Sequence, residues 1–185
     1  MKYYRMNIAG LMRDLPLCPL NDKLSIGAFV IFGDPELTVA CARELLMRAP
    51  EYDYLLTAEA KGIPLIHEMA RQHGDSTYML ARKAPKLYMT GVMEVKVRSI
   101  TTAAEQKLFI DTADAEKMRG KRILIVDDVI STGESLHALE TLVNEAGGII
   151  CGRMCILAEG DAQNRSDLVY LEKLPLFTAD GEIIE

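Results

Sequence analysis

The sequence predicts an α/β chain built on a central parallel sheet. β-Branched runs bounded by turns alternate with amphipathic segments of roughly 10 to 15 residues, the pattern of strand-helix-strand units. The strongest run, Ile123-Leu-Ile-Val126, carries no polar residue and suits a strand covered on both faces. It leads into Asp127 and Asp128, then the small turn Ser131-Thr132-Gly133, then an apolar helical pattern at Leu136, Leu139, Val143 and Ala146. Such a strand, turn and helix N-terminus make an anion site, because unpaired amides and the positive end of the helix dipole face the turn.

Taken in order, residues 1–33 read as irregular, with Pro16 and Pro19 breaking any helix and an apolar patch at Ile26–Phe32. Asp34-Pro35-Glu36 is a helix start, an N-cap acid followed by proline at the first helical position; Leu37, Cys41 and Leu45 then share one face up to about Ala49. Tyr54–Ala58 is a short buried strand. Glu59-Ala60-Lys61-Gly62 turns into a helix with Ile63, Ile66 and Ala70 on one face, which Gly74 ends. Ser76–Ala81 is the next strand, followed by the cationic turn Arg82-Lys83-Ala84-Pro85-Lys86. From Leu87 to Ile110 the residues alternate, which predicts two antiparallel strands joined by a polar connection. A short helix over Ala113–Arg119 precedes the central strand. After the helix beyond it, Gly147-Gly148 stops the chain and Ile149–Leu157 is strand again. The tail adds short strands around Leu174-Pro175-Leu176.

The chain's 185 residues, 49% of them hydrophobic, suffice for one domain with a substantial core. A net charge of −6 gives no electrostatic basis for nucleic-acid binding, which needs clustered Lys and Arg, but leaves room for a small anion held locally. No apolar run approaches the ~20 residues that span a bilayer, and Met1–Asn7 lacks the apolar segment of a signal peptide, so a cytoplasmic protein with no membrane partner is expected. Cys18, Cys41, Cys151 and Cys155 form no CxxC pair and read as reduced thiols. His67, His73 and His137 have no metal-ligand spacing.

Three loops each follow a core strand: Glu59–Gly62, Arg82-Lys83, and Asp127-Asp128 with its Ser-Thr-Gly turn. In a parallel sheet they converge on one rim, bringing acids for hydroxyls, a nest for a monophosphate and cations for further phosphate. The run Ile-Leu-Ile-Val-Asp127-Asp128-Val-Ile-Ser131-Thr132-Gly133-Glu134-Ser135 resembles the signature of the type I phosphoribosyltransferases. The resemblance extends from about Asp34 to about Glu159 and is greatest to the adenine and xanthine enzymes.

That resemblance implies a type I phosphoribosyltransferase fold, a single domain over 1–185 in which about 1–33 and 160–185 supply a small hood and 87–110 a flexible flap hairpin. It implies that Asp127 and Asp128 hold the ribose hydroxyls of 5-phosphoribosyl-1-pyrophosphate. Ser131, Thr132, Gly133, Glu134 and Ser135 would form the 5′-phosphate loop, and Lys61, Arg82 and Lys83 would face the pyrophosphate. Mg²⁺ would be held mainly by the substrate and water, with no direct protein ligand. Glu105 falls near a flap glutamate that assists proton transfer. Phe29 and Val30 are the candidates for the base. A cis peptide before Lys61 is also part of the family pattern.

Glu134 departs from that pattern, since a carboxylate beside a bound phosphate is repulsive. Gly160 stands where relatives specific for 6-oxopurines carry a lysine, which favours adenine. The implied activity is Mg-dependent transfer of the phosphoribosyl group to a purine base in purine salvage, by a homodimer. The alternatives are a xanthine/guanine or orotate enzyme, or a non-catalytic regulator that senses the same donor. An acidic chain with only residues 1–33 ahead of its first helix argues against a regulator carrying a helix-turn-helix.

Overall fold

The structure, a computed structural model, describes residues 2–98 and 105–184; the side chains of Arg98 and Glu105 are also outside the described set. Its main sheet is parallel, and its strands are β4 (Tyr54–Ala58), β5 (Met79–Ala81), β8 (Arg122–Ile130), β9 (Ile149–Glu159) and β10 (Val169–Leu174), in the spatial order β10-β9-β8-β4-β5. β8 sits at the centre. Ile123 and Ile125 pack into one core with Leu136, Leu139 and Leu142 of α4 (Glu134–Glu145), whereas Leu124 and Val126 pack into the other. That second core holds Leu37 and Leu45 of α1 (Pro35–Leu46) and Leu65 and Ile66 of α2 (Ile63–His73). An apolar run with no polar residue is thus explained, because both faces of the strand are covered.

The helix starts and stops obey local chemistry. Asp34 caps α1 by accepting from the Leu37 amide at 3.0 Å, with Pro35 at the first helical position. Gly74 closes α2, its amide donating to the Ala70 carbonyl. The short α3 (Thr112–Met118) buries Ala115 and Met118. Before it, β6 (Val92–Arg98) and β7 (Glu105–Asp111) pair antiparallel from Val92 opposite Asp111 to Arg98 opposite Glu105. Val95, Leu108 and Ile110 of this hairpin pack into the core on the α4 side.

The N-terminal segment is not irregular. β1 (Tyr3–Ile8), β2 (Leu11–Pro19) and β3 (Leu24–Gly27) form an antiparallel sheet that continues into β11 (Leu176–Thr178) and β12 (Ile183–Ile184). The prolines that argued for disruption stand where the sheet tolerates them. Pro16 ends the pairing of β2 with β1, opposite Tyr3, while Pro19 ends its pairing with β3, opposite Ser25. Neither is asked for an amide donor in mid-ladder.

Three boundaries also differ from expectation. β5 begins at Met79, not Ser76. β8 does not stop at the acids but runs on to Ile130, held by β9 through Ile130 opposite Ala158. Residues 169–174, expected with the tail in the hood, form β10 of the parallel sheet, and the chain passes through Pro175 into β11 of the antiparallel one. No helix among the described residues is long and apolar enough to cross a membrane.

Candidate functional site

β4 and β8 run side by side only as far as Leu56 opposite Ile125. Beyond that point Thr57 and Ala58 pair with Leu80 and Ala81 of β5, while β8 stays with β9. A cleft opens between the two strands at their carboxyl ends. It lies where α2 leaves on one face of the sheet and α4 on the other, the place where open α/β sheets bind ligands. The cavity there measures about 700 Å³ and is lined by Ala58–Lys61, Lys83, Gln106–Leu108, Asp127–Val129 and Ser135.

Asp127 and Asp128 lie at the cleft, the first half-buried and the second only 2% exposed. The Asp128 amide donates to Asp127 Oδ1 at 2.9 Å. Burial, with the Asp128 carboxylate beside it, pushes the Asp127 carboxyl well above the ordinary Asp range. Lys61 Nζ stands 3.0 Å from Asp128 Oδ2, an ion pair off the hydrogen-bond direction that leaves Oδ2 without a hydrogen-bond partner. Thr57 Oγ1, directly below the loop, is the other buried side-chain atom among the described residues in that state. A Cβ on Gly62 would come 2.2 Å from it, so only glycine lets the loop descend this far.

Glu59 organises the opposite wall. Its carboxylate accepts from Arg82 Nη1 at 2.9 Å and from the Lys83 amide at 3.0 Å, with Lys86 Nζ at 3.5 Å. The Lys83 amide first, and the Arg82 guanidinium with it, hold this carboxyl below its usual range. Arg82 also exchanges both backbone hydrogen bonds with Phe109 of β7, at 2.7 and 2.8 Å, and stacks at 5.9 Å over the Tyr88 ring. Of the cations expected at the site, then, Lys61 and Lys83 line the cavity, whereas Arg82 is spent on Glu59 and the hairpin. The cis peptide lies between Glu59 and Ala60, one bond earlier than the family pattern suggests.

A second hollow of about 50 Å³ is walled by Asp127 and Val129–Leu136 and brings Ser131, Thr132, Gly133, Glu134 and Ser135 together. Gly133, at φ 78°, turns the chain into α4, and its carbonyl accepts from the His137 amide at 2.8 Å. The Glu134 carboxylate reaches the hairpin, with Gln106 Nε2 3.5 Å from its Oε2. Phe29 is 4% exposed in the core beside α1 and Val30 is 56% exposed; neither lines these two cavities. The Glu105 side chain lies outside the described residues. Among the described residues no cluster of three His, Cys, Asp or Glu side chains could hold a metal ion. Sequence reasoning brought the loop of Glu59 to the rim without a role for its carboxylate, and it missed Thr57, Gln106 and Lys107 as site residues. The only signal for the last two was their place in the strand after the flap connection.

Fold and cleft define an α/β protein whose ligand site opens at a switch point of a parallel sheet. The chain belongs to the phosphoribosyl transferase domain family, whose pattern it matches over residues 41–172. It is 33% identical over 132 residues to a hypoxanthine/guanine phosphoribosyltransferase of Methanococcus maripaludis (strain C6), covering 71% of this chain and 67% of that protein. A protein of the same description from Methanotorris igneus is 32% identical over 111 residues, 60% of this chain and 56% of its own length. Among solved structures, adenine phosphoribosyltransferase from Thermoanaerobacter pseudethanolicus superposes with a TM-score of 0.69 at 19% identity, covering 86% of this chain and 95% of that one. The Saccharomyces cerevisiae adenine enzyme gives 0.61 at 19% identity, over 92% of each. At these identities the structures establish the shared fold.

Proposed function

We propose that the protein transfers the phosphoribosyl group of 5-phosphoribosyl-1-pyrophosphate to a purine base, releasing pyrophosphate. The observation that carries this reading is the convergence of three elements on one cleft: the Asp127-Asp128 pair, the Ser131–Ser135 hollow beside it, and Lys61 and Lys83 on the facing wall. The two carboxylates accept hydrogen bonds from the ribose hydroxyls. The amides and hydroxyls of the turn bind the 5′-phosphate. Lys61 and Lys83 neutralise the pyrophosphate, with Lys61 leaving Asp128 to do so.

A bond forms from a purine ring nitrogen to ribose C1 as the C1–oxygen bond to pyrophosphate breaks, and the nitrogen loses its proton. Glu105 is the proton carrier that the family resemblance assigns. The protein's task is to align base and sugar, stabilise charge as it develops and exclude water. The donor set suits a divalent cation that arrives with the diphosphate. Carboxylate oxygens are the hard ligands Mg²⁺ takes, and two of them at the cleft can meet its water or the sugar hydroxyls without a dedicated cage. When bound, the ion would offset the charge of the leaving pyrophosphate.

For the base, a 6-oxopurine is the first reading, supported by the relatives at 32–33% identity. Adenine is the second, supported by Gly160 at the position where a lysine would meet the exocyclic oxygen. A homodimer in the cytoplasm belongs to the same proposal. The experiment supplies the donor, Mg²⁺ and each of adenine, guanine, hypoxanthine, xanthine and orotate, and measures pyrophosphate. Release with guanine or hypoxanthine alone supports the first reading and with adenine alone the second. No release with any base, together with tight donor binding, would replace the enzyme with a sensor.

A further inference from the structure

We propose that Arg165 is a binding residue of the 5′-phosphate subsite, donating from Nη1 to the phosphate held by the Ser131–Ser135 turn; this rests on the phosphoribosyl reading above. The residues walling the small hollow include two acids, Asp127 and Glu134, and no Lys or Arg. The turn's amides and hydroxyls can hold a phosphate dianion there, and a cation from elsewhere in the chain would offset the two acids beside it. Arg165 follows the 3-10 turn Gly160–Asn164, and its Nη1 lies 3.5 Å from where a Cβ on Gly133 would be. The guanidinium therefore overhangs the turn at the residue that starts α4.

Its other two nitrogens are already committed. Nε and Nη2 pair with the two oxygens of Asp167 at 2.9 and 2.8 Å, and Nη2 reaches Glu140 Oε1 at 3.4 Å. Arg153 binds the same two acids, closing a four-residue frame between α4 and the end of the sheet. Among the described residues no hydrogen bond engages Nη1. A planar fork fixed along one edge presents the other edge in a set direction, so little side-chain freedom remains to be lost when an anion binds. Arg165, 31 residues beyond Glu134, would thus bring positive charge to a turn that also carries that acid.

The test is calorimetric binding of ribose 5-phosphate and, separately, of pyrophosphate with Mg²⁺ to the full chain, to Arg165→Gln and to Arg165→Lys. The Gln variant should bind ribose 5-phosphate about ten- to a hundredfold more weakly, as loss of one charge-assisted hydrogen bond implies, with pyrophosphate affinity unchanged. Lys should recover part of the loss, keeping the charge without the fork. Asp167→Asn, which loosens the frame but retains Arg165, should cost much less than Arg165→Gln. Undiminished ribose 5-phosphate binding in the Gln variant, equal weakening of both ligands, or an equal loss in Asp167→Asn would each overturn the proposal. If the unaltered protein binds neither ligand, the phosphoribosyl reading itself fails, a result distinct from parity between protein and variant.

Discussion

Lys61 Nζ lies 3.0 Å from Asp128 Oδ2, and this contact joins the loop after β4 to the acids of β8 across the cleft. A carboxylate only 2% exposed, with no hydrogen bond to Oδ2, depends on that ion partner. Lys61→Met should lower stability by roughly 1–2 kcal/mol, the modest end of the range because the lysine is half in solvent. Adding Asp128→Asn should restore most of it. Urea unfolding of the four proteins in a double-mutant cycle measures the coupling, and strictly additive losses would mean the pair is not formed in solution.

The raised Asp127 carboxyl has a pH signature. Folded, this group keeps its proton to higher pH than it does unfolded. Its contribution to stability is full in acid, begins to fall above the ordinary Asp value of ~3.9, and is lost as pH rises through the raised value. Binding of ribose hydroxyls by the anion should tighten over that same interval. Calorimetry with ribose 5-phosphate across this range, compared with Asp127→Asn, separates the effect from titration of the ligand's own phosphate. A pH dependence that persists unaltered in the variant would assign it elsewhere.

Gly62 and Thr57 should behave as one unit. Gly62→Ala forces a methyl to within 2.2 Å of Thr57 Oγ1 and should cost about 2–3 kcal/mol, as overpacking does. Thr57→Ala removes a hydroxyl with no hydrogen-bond partner together with a buried methyl, so alone it should cost about 1 kcal/mol, and combined with Gly62→Ala, whose methyl would fill that space, it should recover part of the loss. Thermal unfolding of the three variants decides. A double variant no more stable than Gly62→Ala would show the clash lies with other atoms.

Arg13 ties β2 to the start of α1, with Nε 2.6 Å from Asp34 Oδ2 and Nη2 2.8 Å from Glu36 Oε2. Its hydrogen bond is the main reason the Asp34 carboxyl lies below its usual range. Arg13→Ala should cost roughly 1–2 kcal/mol at neutral pH. The stability due to the lowered Asp34 is present above ~3.9 and vanishes as pH falls through the depressed value, so the difference between protein and variant should shrink in acid. Denaturation at a series of pH values checks it; a gap that is constant down to the acid limit would contradict the linkage.

What could be read from the sequence was what neighbouring residues decide together. Asp34-Pro35, Gly74 and the run from Ile123 to Val126 each carry their own signal in cap, stop or uninterrupted apolar strand, and each appears in the expected element, although β8 runs on past the acids. The N-terminal strands could not be read that way. β3 depends on Ile26 meeting Leu176 and Ser25 meeting Phe177, pairings made near opposite ends of the chain. The parting of β4 from β8 is equally invisible locally, because Thr57 and Ala58 look like any strand residues until β5 claims them. At the site, Lys61, Lys83 and both acids came to the cleft as the loop order implied. Arg82 did not, since Glu59, 23 residues earlier, offered its guanidinium a closer partner.

The passage through Pro175 gives residues 169–178 membership in two sheets at once. β10 covers the open backbone edge of β9, and β11 covers that of β3. A chain cut before Val169 would uncover both edges in a single event, one of them beside the central strand pair. The last strands thus act as a guard against self-association, and proteolysis there would be expected to yield insoluble material instead of a smaller folded protein.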